Sequence, residues 1–143
     1  MANVDTVKAI TDNLEVVLRG EGIKFSRKVY EDEKSIPASL IPFGRIFYRG
    51  ESFEHTNGQK PGYVEIEYLA SVVLREKDAA DLIRRQQEWV HRIREALTVD
   101  ALNTGELAAS KYVSRVDTTG VDMERRDTLA FVNCKITVRY REL

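Results

Sequence analysis

The chain is poor in the residues that most often carry chemistry: one cysteine, two histidines and three prolines among 143 residues. Each scarcity excludes something. A lone Cys134 forms no internal disulfide and leaves no multi-cysteine metal site. It falls on the apolar side of an alternating run, where a small buried thiol fits better than a nucleophile. His55 and His91 show no His-Glu-x-x-His or comparable ligand spacing, so no metal site is expected. Gly-x-Ser-x-Gly, the phosphate-binding P-loop and Gly-x-Gly-x-x-Gly are all absent, which removes support for ordinary serine-hydrolase, nucleotide-hydrolase and dinucleotide-binding readings. No apolar run approaches the roughly 20 residues of a membrane span, and the start Met-Ala-Asn-Val-Asp has no secretory character. The expectation is a protein made and kept in a cytoplasm, with no membrane partner. A net charge of -1 supplies no general attraction to nucleic acid.

What is present is the composition of a folded domain, 43% hydrophobic and 31% charged. That balance and length predict one domain over 1–143 with a core of its own. The strongest signal is the alternating run from Tyr63 to Leu74, in which Val64, Ile66, Tyr68, Ala70, Val72 and Leu74 share one side. At about 3.3 Å per residue it spans roughly 40 Å, longer than most strands. It leads into an amphipathic helix from Asp78 to Leu97, with Asp78 as cap and a stripe of Ala79, Leu82, Ile83, Gln86, Trp89, Val90, Ile93, Ala96 and Leu97. That helix covers only about 30 Å, so part of the strand is expected to overhang.

The rest of the chain fills in around this pair. Val4, Val7, Ile10, Leu14, Val17 and Leu18 recur at helical spacing before Gly20 and Gly22. A short extended run follows from Ile23 to about Tyr30, and then the solvated cluster Glu31-Asp32-Glu33-Lys34. Ile36 to Pro42, with two prolines, cannot be a central strand and reads as an ordered arm. Arg45 to Arg49 has strand character and opens a hairpin into the Tyr63 strand. Its connection, Gly50 to Gly62, is expected to be a long polar loop carrying the turn signals Asn57-Gly58 and Pro61-Gly62. Thr98 to Lys111 is irregular, but Leu102 and Leu107 must pack somewhere. Tyr112 to Val116 is a strand and Asp117 to Asp127 a charged turn. Leu129 to Tyr140 is a second long strand, with Ala130, Val132, Cys134, Ile136, Val138 and Tyr140 on its apolar side. The fold class is α+β: a mainly antiparallel sheet with two principal helices on one face and water on the other.

Charged residues offer several constellations, each with a plainer reading beside it. Arg84, Arg85, His91, Arg92 and Arg94 on the second helix are interleaved with Asp81, Glu88 and Glu95, with Glu88 to Arg92 at i,i+4. That favours a salt-bridged outer face over a DNA-reading one. Glu65 and Glu67 face the same way and are an ordinary wet sheet face before they are a catalytic pair. Glu54-His55 belongs to a solvated loop tip. Glu124-Arg125-Arg126-Asp127 suits complementary charges on a neighbouring subunit, or simply a solvated turn.

The order of elements resembles the tail terminator, or tail completion, proteins of long-tailed bacteriophages of the lambda type. The likeness lies in helix Val4 to Leu18, strands Arg45 to Arg49 and Tyr63 to Leu74, helix Asp78 to Leu97, and the ending Phe131-Val132-Asn133-Cys134-Lys135-Ile136-Thr137-Val138-Arg139-Tyr140. The resemblance implies a structural, non-enzymatic protein without cofactors, acting in the neck region of the virion tail after assembly in the bacterial cytoplasm. Its subunits form a ring, typically a hexamer, that caps the tail tube and offers a surface for joining the head. The implied partners are further copies of itself, the tail tube protein, a head-tail connector or neck protein, and sheath protein where the tail contracts. DNA would only pass through the lumen. The candidate subunit contacts are Phe53 and His55 in the hairpin, Ile36 and Leu40 in the arm, Leu102, Leu107, Arg125 and Arg126, with intramolecular packing as the alternative for the arm, Leu102 and Leu107, and a solvated turn or surface loop for Arg125, Arg126 and His55. Another neck, connector or baseplate role stays open. So do a small-molecule or enzymatic pocket around His91 or Glu65, and a nucleic-acid adaptor using Arg84, Arg85 and Arg92.

Overall fold

The alternation of Val64 to Leu74 works as it predicts: all six side chains are buried on one face of a sheet. A computed structural model describes residues 3–26, 36–56, 59–76, 78–109, 112–126 and 129–142. Its elements are α1 (Asn3–Gly20), β1 (Phe43–Thr56), β2 (Gln59–Arg75), α2 (Ala79–Ala96), α3 (Val99–Leu102), β3 (Val113–Arg126) and β4 (Leu129–Arg141), with 3-10 turns at Ala38–Leu40 and Gly105–Leu107. The four strands form one antiparallel sheet in the order β1-β2-β4-β3, so the α+β expectation holds. Two long hairpins lie side by side, with β2 and β4 in the middle and β1 and β3 at the edges.

Helices α1 and α2 lie over the face lined by the even-numbered residues of β2 and β4. Ile10, Leu14 and Leu18 of α1 and Leu82, Trp89 and Ile93 of α2 join those strands in the main core. Asp78 caps α2, its carboxylate accepting from the amides of Ala80 and Asp81. Gln86, the polar position in the stripe, is buried and donates to the carbonyls of Glu124 and Phe131, both at 3.4 Å. This satisfies a group that would otherwise be costly to bury. Ile83 departs from the expected stripe and is 57% exposed.

Several expectations need correction. The polar loop from Gly50 to Gly62 does not exist as a loop: β1 runs on to Thr56 and β2 begins at Gln59, with Thr56 opposite Gln59. The turn signal Asn57-Gly58 lies outside the described residues. Pro61 is accommodated because a register shift falls between Glu54 and Thr56, and because β4 has already ended at Arg141, opposite Tyr63. Gly62 sits at a close approach, where a Cβ would meet the Glu54 carbonyl oxygen at 2.5 Å. Likewise the charged turn from Asp117 to Asp127 is strand as far as Arg126, which pairs with Leu129. Its sequence hides this because an edge strand needs no continuous apolar face.

The second face of the sheet is not uniformly wet. Ile36, Phe43, Val73, Leu129 and Phe131 form a separate buried cluster there, with Leu40 and Ile41 packed against it. The arm thus covers the sheet end where β1 begins. The expected extended run beyond Ser26 and the charged cluster Glu31 to Lys34 lie outside the described residues. Within the described part, Lys24 makes a parallel bridge to Phe43.

Candidate assembly surface

The overhang expected within Tyr63 to Leu74 is not found, because Val64 and Leu74 near its two ends are both buried and the whole run pairs with β4; what projects is the earlier part of β2, from Gln59. Beyond the last β2–β4 pair, Tyr63 with Arg141, only β1 and β2 continue. On the helix-facing side of β1, level with β2 and β4, Tyr48 and Phe53 are exposed, Phe53 at 57%, and Val4 at the start of α1 is exposed at 75%. With Val7, Lys8, Thr11, Glu51, Tyr140 and Glu142 they line an open groove of ≈ 580 Å³. The floor is rigid: the hydroxyls of Thr11 and Tyr68 share a hydrogen bond of 2.8 Å, and the Thr11 hydroxyl also reaches the Val7 carbonyl at 2.9 Å. Burial pushes Tyr68 and Tyr140 up to about 12, so both stay neutral phenols. The hydrogen bond that the Tyr48 hydroxyl donates to Glu51 raises Tyr48 as well.

The polar side of the hairpin is tied by ionic contacts. Arg139 donates to Glu54 at 2.7 Å, and its guanidinium lies 4.0 Å from the centre of the Tyr63 ring. Further along, Arg49, Glu67, Thr119, Lys135 and Thr137 line a shallow hollow on the same face. Neither surface contains a cluster of catalytic groups. Among the described residues, no group of three or more His, Cys, Asp or Glu side chains is placed to hold a metal. Burial raises Cys134 to about 11, keeping it a thiol. His91 lies on the exposed outer side of α2 with Arg84, Gln87, Glu88 and Arg92. Of the described helices, none is long and apolar enough to cross a membrane.

The candidate contact residues separate into three groups. Phe53 is exposed on the edge strand β1; His55 is in the same strand, its side chain outside the described residues. Leu102 and Leu107 are completely buried, and Ile36 nearly so, with Leu40 partly covered beside it. These four serve packing within the subunit. Asn13 of α1 holds the Leu102 turn in place by donating to the Leu102 carbonyl at 2.8 Å. Arg125 is exposed near the end of β3 and Arg126 pairs with Leu129, its side chain outside the described residues. The registers put Phe53 and Arg125 at opposite ends and on opposite edges of the sheet. They cannot belong to one patch on one subunit.

No protein-family model matches this chain, and no curated protein does. Its surface must speak for itself. The expected Glu88 to Arg92 pair is replaced by a tertiary one, in which Arg92 donates to the Glu21 carbonyl and carboxylate and stacks 4.2 Å from the centre of the Trp89 ring. Glu88 instead meets Arg84 at 3.9 Å. Arg92 therefore joins α2 to the end of α1. The signal that sequence reasoning missed is the pair of sheet edges. Both β1 and β3 are 14 residues long, well above the usual strand of about 5–6 residues.

Proposed function

We propose that this chain is a structural assembly protein, a ring-forming subunit of the tail terminator type that closes the head-proximal end of a phage or prophage tail tube. The observation that carries this reading is an open antiparallel sheet with two long edges, one of which, β1, bears exposed Phe53 and Tyr48. Long edges present rows of backbone donors and acceptors that natural monomers usually shorten or cover. Two unlike edges on one subunit make a head-to-tail contact, and such a contact closes into a ring when its rotation divides a full turn. The resemblance in element order supplies the tail and its neck as the setting, with tube and neck proteins as further partners.

The test has two stages. Light scattering and electron microscopy of the purified chain should give closed rings, and a strict monomer at high concentration would remove the reading. Tails made in its absence should then be abnormally long; normal-length tails lacking heads would reassign the protein to joining. A second reading, a small-molecule site, rests on the apolar groove between α1 and β1, whose ≈ 580 Å³ falls in the range of ligand pockets. Thermal stabilisation by a small apolar ligand, lost in Phe53→Ser, would favour it.

A further inference from the structure

The two edges match each other in charge as well as in length. The registers assign residues across all four strands to common levels. Arg45, Ser71, Asn133 and Asp122 form one level; Gly50, Glu67, Thr137 and Asp117 another; Ser52, Glu65, Arg139 and Arg115 a third. Arg49 belongs with the second level, being the extra residue at the register shift between Tyr48 and Gly50, and it shares a hollow with Glu67 and Thr137. Along the face away from the helices, β1 therefore presents Arg45, Arg49 and then Ser52, with Glu54 one level beyond. At the same heights, β3 presents Asp122, Asp117 and then Arg115; within the subunit Asp117 meets Arg115 at 2.5 Å and Asp122 meets Lys135 at 3.9 Å, exposed pairs that a contact with the next copy would share or exchange.

Direction fits too. Alternating antiparallel order makes β3 run opposite to β1, so the β3 of one copy can extend the sheet beside the β1 of another without reversing either. Each edge is occupied near its first residues. The Gly44 amide donates to the Lys24 carbonyl at 2.8 Å, and the Asn103 side chain satisfies both the amide and the carbonyl of Val113. These caps lie at opposite ends of the sheet, so the stretch left between them is the one where the charges match. On the helix-facing side the same alignment sets Ile46 beside Val121 and Tyr48 beside Thr118.

We propose that copies of this chain associate head to tail by adding the β3 edge of one to the β1 edge of the next, in the level register that pairs Arg49 with Asp117 and Arg45 with Asp122. This rests on the ring reading and gives it a defined interface. Sliding one strand by two residues in one direction sets Arg49 against Arg115, a repulsive pair. Sliding it the other way sets Arg49 opposite the uncharged Gly120, while bringing Arg45 to Glu124 and Glu54 to Arg115. The Arg49–Asp117 pair is thus the contact that the level register makes and its neighbours do not, and it is the one to test.

Charge exchange tests it. Arg49→Glu and Asp117→Arg are prepared separately and mixed, and assembly is followed by sedimentation velocity and native mass spectrometry, with circular dichroism melts confirming that each variant folds. Each variant alone should need a roughly tenfold higher concentration to assemble, equivalent to about 1.4 kcal/mol per contact. The equimolar mixture should recover wild-type assembly in an alternating arrangement, because every contact then joins opposite charges. Wild-type chain that stays monomeric would overturn both this proposal and the ring reading. Wild-type assembly with Arg49→Glu unimpaired, or two impaired variants that fail to rescue each other, would overturn the register and leave the ring reading standing.

Discussion

Replacing Leu107 with alanine separates packing inside the subunit from contact between subunits. Leu107 is completely buried in the main core, on the 3-10 turn Gly105–Leu107. Truncating a buried leucine loses its transfer free energy and leaves a cavity, together about 3–5 kcal/mol. A short turn at the core margin can partly collapse, so about 3 kcal/mol is expected. For a chain of this length the unfolding entropy is about 0.3 kcal/mol/K, which makes that loss a fall of roughly 10 °C in Tm. Phe53→Ser is the contrast: its side chain is more than half exposed, and surface changes stay within about 0.5 kcal/mol. Calorimetry should be run below the concentration at which subunits associate, since assembly raises apparent stability by mass action. Leu107→Ala with Tm within 2 °C of wild type and impaired assembly would refute the assignment of this residue to the core.

Three further outcomes follow from particular contacts. Gly62→Ala should cost about 1–3 kcal/mol, because its Cβ would stand 2.5 Å from the Glu54 carbonyl oxygen and the two backbones must separate; chemical denaturation would read this. Asp78→Ala should lower stability by about 1 kcal/mol through loss of the α2 cap, also seen in denaturant melts. Cys134 should resist a thiol reagent at pH 8 until the chain unfolds, and it adds a pH dependence of known sign. Its folded value lies above the unfolded one, so the unfolded thiol ionises first and stability falls from about pH 9 through about pH 11. Cys134→Ala should flatten that part of the profile, and an unchanged slope would refute the assignment.

Legibility varied with how local each signal was. The apolar faces of β2 and β4 were readable because a half-buried strand repeats every two residues whatever it pairs with. Asp78 was readable as a cap for the same reason: it acts within one turn. The outer half of β3 was not, since Asp117, Thr118, Thr119, Gly120 and Asp122 carry no apolar alternation and hold their extended form only by pairing with β4. The hairpin tip misled in a different way. Pro61 and Gly62 are strong turn residues, yet here a register shift and a missing neighbour strand absorb them. Of the candidate contacts, Phe53 kept its place on the surface, whereas Ile36, Leu40, Leu102 and Leu107 were claimed by the subunit's own core.

Composition and periodicity alone therefore determine that this is an α+β domain, with two amphipathic helices against the apolar side of long strands and no recognisable catalytic motif. Tertiary structure decides the extent of β1 and β3, the second small core beneath the arm, and the exchange of a Glu88 partner for Glu21 at Arg92. It alone brings Arg45 level with Asp122 and Arg49 level with Asp117 across the width of the sheet. The physical reason is range. Side-chain periodicity is set by backbone geometry over a few residues, but strand order and register are set by contacts between residues far apart in the chain.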